Sequence, residues 1–127
     1  MKKLFLFLFI LPLLFSLLGC DLLGTAQWLS PPGWIQGTWQ GLFSEDTYSF
    51  QFTSDNAILN ISGQQRNFRN TYLNISDSSS GTQYTITGTE LDGSSTTYTF
   101  TKITDTVVHC SISAKWVDIP FMALSKQ

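Results

Sequence analysis

From about Gly37 to the end of the chain, large apolar side chains recur mostly at every second position, and this period of two constrains the fold more than any other feature. "TYSFQFT" sets Tyr48, Phe50 and Phe52 against Thr47, Ser49, Gln51 and Thr53. "AILNI" does the same with Ala57, Leu59 and Ile61, "TQYTITGT" with Tyr84 and Ile86, and "TTYTFTK" with Tyr98 and Phe100. "VVHCSISAKW" aligns Val108, Cys110, Ile112, Ala114 and Trp116, and "PFMALSK" aligns Met122 and Leu124. Successive side chains of a strand point to opposite faces, so each run reads as a strand with one face buried. No amphipathic helix of useful length is present.

Residues that turn the chain separate these runs: Ser44-Glu45-Asp46, Ser54-Asp55-Asn56, Ser78-Ser79-Ser80-Gly81, Asp92-Gly93 and Thr104-Asp105. They divide the chain into eight candidate strands, about 37–43, 46–53, 56–62, 67–75, 82–90, 95–103, 106–116 and 119–126. The segment "QQRNFRNTYLNI" is the exception, because Phe68 and Tyr72 are out of phase with Leu73 and Ile75; it reads as an interrupted, bulged strand. Strands this short and regularly spaced predict an all-β domain, a small eight-stranded antiparallel up-and-down β-barrel whose closure removes exposed edges.

The N-terminus follows another logic. Lys2 and Lys3 precede an apolar run from Leu4 to Leu18, then "LLGC" ending at Cys20, the tripartite layout of an export signal. As a helix the run spans about 22 Å, short of the roughly 30 Å of a bilayer core. "LLGC" resembles the bacterial lipobox, although Leu18 is bulkier than the residue usual there. The resemblance implies cleavage before Cys20 and acylation of its sulfur, with several acyl chains including palmitate-like ones giving a stable membrane anchor. The expected organisation is a lipoprotein signal peptide over 1–19, a lipidated cysteine and tether over 20–32, and the barrel over 33–127. The expected location is the cell envelope, on the outer membrane or the periplasmic face of the inner membrane.

Without residues 1–19 the chain keeps five basic and nine acidic side chains, net −4. A sparse, weakly acidic surface argues against nucleic acid as a partner and leaves membrane attachment to the lipid. With Cys20 acylated, Cys110 has no cysteine to pair with, so the domain, expected to be a monomer, depends on its apolar core.

Two tryptophans open the domain in "PPGWIQGTWQG". Gly37-Thr38-Trp39, at the start of the first strand, resembles the G-x-W signature of lipocalins, and the chain as a whole is similar to small lipocalin-like bacterial lipoproteins. The resemblance implies that Gly37 makes the turn into the first strand and that Trp39 plugs the closed end of the barrel. Lipocalins usually lay an arginine of the last strand over that tryptophan; here the last strand offers Lys126.

No arrangement for catalysis stands out. His109 and Cys110 fall on opposite faces of one strand, so they form no nucleophile–base pair. Glu45 and Asp46 sit in a turn, and there is no H-E-x-x-H, C-x-x-C or phosphate-binding glycine loop. The expectation is a non-enzyme without metal or cofactor. Tyr48, Phe50, Phe52, Tyr84, Tyr98, Phe100 and Trp116 are all expected to face inward. In a barrel of eight strands such rings either line a pocket for a small apolar ligand or fill the interior completely, and the alternation does not separate the two. The second case leaves a solid barrel with a structural or protein-interaction role in the envelope.

Overall fold

The computed structural model describes residues 28–127; the expected signal peptide, Cys20 and most of the tether lie outside the described residues. Nine strands follow one another: β1 (Gly37–Phe43), β2 (Asp46–Phe52), β3 (Ala57–Ile61), β4 (Gln64–Asn67), β5 (Asn74–Ser79), β6 (Gln83–Thr89), β7 (Ser95–Lys102), β8 (Val107–Ser113) and β9 (Asp118–Lys126). A four-residue helix, α1 (Phe68–Thr71), separates β4 from β5. All strands belong to one antiparallel sheet, in the order β4-β3-β2-β1-β9-β8-β7-β6-β5. This up-and-down sheet curls into a half-barrel. The first strand pairs with the last, Trp39 opposite Lys126, and β4 and β5 remain as edges.

The all-β, up-and-down expectation holds, with two corrections: there are nine strands instead of eight, and the sheet is open between β4 and β5. Both arise in the segment read as one bulged strand over 67–75. Ser62 and Gly63, with φ of 48° and 92°, make a two-residue hairpin that starts β4 at Gln64. Asn67 then caps α1, its side chain accepting the Arg69 amide at 3.1 Å, and β5 begins only at Asn74. The two edges are short and polar, which limits pairing with other chains. Ring contacts bridge the seam: Phe68 lies 4.8 Å from Tyr98 and 5.8 Å from Tyr72. Tyr72 in turn packs so closely over Gly88 that a β-carbon there would lie 2.5 Å from its ring.

The domain also begins earlier than residue 33. Leu29 is buried in the core, and its amide donates to the Asp55 carbonyl. The Ser30 amide donates to the Asp77 carboxylate at 2.6 Å. Leu29 and Ser30, expected in the tether, therefore pack against and bond to the sheet domain. In β9 the register slips by one residue between the Cys110–Met122 and Ile112–Ile119 pairs. Pro120, which has no amide to give, falls in this irregularity.

Candidate functional site

The interior has two ends of different character. At the first, the chain turns through residues 33–36, with the Ile35 amide donating to the Pro32 carbonyl, and enters β1 at Gly37, whose φ of 124° suits glycine. This places Trp39 fully buried over Ile35, its indole N–H donating to the Ile35 carbonyl at 2.7 Å. The Lys126 ammonium lies 5.7 Å from the Trp39 ring centroid, within cation–π range. Trp34 is half-buried, and its indole donates to the Ser80 carbonyl at 3.0 Å.

Above this plug, the rings of Phe50, Phe52 and Phe100 meet edge to face at 5.0–5.1 Å for the two pairs made by Phe100. Tyr84 joins them, and its hydroxyl donates to the Asp77 carboxylate at 2.7 Å. Burial first, then the Asp77 bond and charge, push the Tyr84 phenol well above its ordinary value. Asp77 thus holds both the lead-in segment and the Tyr84 ring. Phe50, Phe52, Tyr84 and Phe100 are buried inward and pack against one another at this end of the interior.

The second end is open. A cavity of about 460 Å³ is lined by Tyr48, Tyr98 and Ile112, with Leu59 and Ile61 of β3 contributing apolar surface. Its mouth is formed by Leu91 of the β6–β7 turn and by Trp116 and Val117 of the β8–β9 turn. Of the seven rings expected to face inward, Tyr48, Tyr98 and Trp116 line this cavity. Trp116 does not point inward along a strand, however. Strand β8 ends at Ser113, the Ala114 amide closes a turn onto the Val117 carbonyl, and Trp116 is 84% exposed at the rim. Lys115 reaches Asp92 at 3.7 Å, tying the two rim turns together.

The charged part of the cavity was not expected from the sequence. Arg66 pairs directly with buried Leu59 in the β3–β4 register, and directly paired residues share a face. Glu90 continues the inward phase of Tyr84, Ile86 and Gly88 past the end of β6. Both line the cavity. The Tyr72 and Tyr98 hydroxyls share a bond of 2.5 Å that either can donate. Thr96, buried, donates to Glu90 Oε1 at 3.1 Å. Burial alone would lower the Arg66 pKa, but Tyr98, Tyr72 and Glu90 together raise it. The signal that could have placed Arg66 is the Ser-Gly turn at 62–63, from which the register counts it onto the inner face.

On β8, Cys110 is buried, which pushes its thiol up, whereas His109 lies on the other face, with its ring 4.4 Å from that of Phe121. Among the described residues, no group of three His, Cys, Asp or Glu side chains could hold a metal ion, and no helix is long and apolar enough to cross a membrane. Comparison with models of known protein families finds no match to this chain, and neither comparison with curated proteins nor comparison with solved structures finds one.

Proposed function

We propose that this chain is a lipid-anchored lipoprotein of the bacterial cell envelope, a lipocalin-like module that binds a small amphipathic molecule and catalyses no reaction. The observation that carries the binding reading is the cavity of about 460 Å³ at the open end, within the usual size range of small-molecule sites. Apolar side chains form much of its wall, and a few polar groups converge at one corner, the composition that favours an amphipathic occupant. The anchoring reading rests on the "LLGC" motif at Cys20 after its apolar run, and the lipocalin-like reading on Gly37 and Trp39 at the start of an up-and-down sheet.

The test of binding is a titration of the mature chain, from residue 20 onward with Cys20→Ser to prevent acylation, with a neutral apolar fluorescent dye. Saturable binding near one to one, lost when the cavity is blocked, is the expected result. Detergent-phase partitioning of the native protein, abolished by Cys20→Ser, tests the anchor. A second reading has one observation in its favour. Leu91 and Trp116 stand 81% and 84% exposed on neighbouring rim turns, an apolar surface that suits a protein partner. Absence of saturable dye binding would leave that protein-interaction role as the better account.

A further inference from the structure

The open cavity holds two opposite charges whose arrangement carries more than its volume does. Among the described residues Arg66 and Glu90 form no direct ion pair with each other, although both line the cavity. Glu90 is tied to the wall instead, its Oε1 accepting from Thr96, while Tyr98, Tyr72 and Glu90 together raise the Arg66 pKa against the effect of burial.

A bonded pair of tyrosines lies beside these groups. The Tyr72 and Tyr98 hydroxyls share a bond of 2.5 Å that either can donate, and Tyr98 is the member of the pair that lines the cavity. Burial first, then Tyr72, hold the Tyr98 phenol protonated well beyond its ordinary range. The cavity wall therefore offers donors from Arg66 and an acceptor from the remaining oxygen of Glu90.

We propose that these groups select an uncharged head group carrying an acceptor and a donor side by side, an amide-headed amphiphile, with Arg66 binding its carbonyl and Glu90 its N–H. This rests on the reading of the open end as a ligand site. A lone carboxylate would meet the charge of Glu90, and a lone ammonium that of Arg66. An ester would satisfy the donors but leave Glu90 facing a group with nothing to donate. A neutral amide meets both sides without the desolvation cost of a charged head.

The experiment is displacement of the bound neutral dye from the Cys20→Ser mature chain by a matched decyl series: amide, carboxylate, ammonium and methyl ester. The amide is expected to compete about tenfold better than any of the other three, the difference of roughly one good hydrogen bond. Glu90→Gln should move the preference toward the carboxylate, and Arg66→Gln toward the ammonium. Arg66→Lys, which keeps the charge, should not favour the ammonium. Dye binding in each variant reports that its cavity is intact. Four heads of equal strength, or an order unchanged by Glu90→Gln and Arg66→Gln, would overturn this inference while the binding reading stands. Failure of the dye itself to bind saturably would overturn both.

Discussion

The plugged end and the open end of the half-barrel are written in the same alternating pattern, yet at one buried rings pack on rings and at the other the wall encloses a cavity. At the plugged end the inward positions hold Trp39, Phe52, Tyr84 and Phe100, and each ring finds a ring, a backbone carbonyl or a carboxylate to complete its contacts. At the open end the inward positions turn smaller and polar: Ile61, Ile112 and Ala114 on one side, Arg66, Glu90 and Thr96 on the other. A period of two decides which side chains face inward; their size and polarity decide whether the space between them closes.

Raising the pH probes the plugged end and the floor of the cavity together, and should have the largest effect. Burial is the first cause that raises the pKa of Tyr84, Tyr98 and Tyr72 above the ordinary value of 10.0. Above pH 10 the unfolded chain therefore sheds protons that the fold retains. The stability these tyrosines contribute is complete below pH 10 and falls as pH rises beyond it. Circular dichroism and tyrosinate absorbance should change together in one cooperative step above pH 10. Titration of all four tyrosines near pH 10 with the fold intact would mean that these rings are open to solvent.

The next contrast is between tryptophans. Trp39→Ala should cost about 3–5 kcal/mol, a large part of the roughly 5–15 kcal/mol available to a small domain. Trp116→Ala should change stability by no more than about 0.5 kcal/mol, because the ring is 84% exposed, but should weaken dye binding. Urea denaturation measures both, and equal costs would erase the distinction between plug and rim. A smaller effect comes from Asp77→Ala. It frees the Ser30 amide and leaves the Tyr84 hydroxyl buried without an acceptor, at about 1–3 kcal/mol. Dye affinity at the open end should be unchanged by it.

Most of the sheet was legible because alternation and turn residues agree. The hairpins at Ser44-Glu45 and Asp92-Gly93 fall where those residues stand, and Val108, Cys110, Ile112, Met122 and Leu124 are all buried. The misreadings share one cause, a local pattern continued past the point where the backbone turns. Trp116 keeps the phase of β8, but β8 has already ended at Ser113. Phe68 and Tyr72 break strand phase because a turn of helix carries the first of them across the seam. The Ser62-Gly63 turn is short enough to pass for part of a strand, and missing it hid both the ninth strand and the inward place of Arg66. The burial of Leu29 depends on contacts with residues as distant as Asp55, which no neighbouring residue announces.

The division of the interior is the central claim, and a pair of enlargements at the two ends tests it most directly. Phe100→Trp adds volume where rings already fill the space, so it should destabilise the domain by about 1–3 kcal/mol and leave dye stoichiometry unchanged. Ala114→Trp adds volume at the cavity wall, so it should abolish dye binding and leave stability within about 0.5 kcal/mol of the parent. The opposite pattern, dye binding lost with Phe100→Trp and retained with Ala114→Trp, would contradict the account and place the space among the phenylalanines instead.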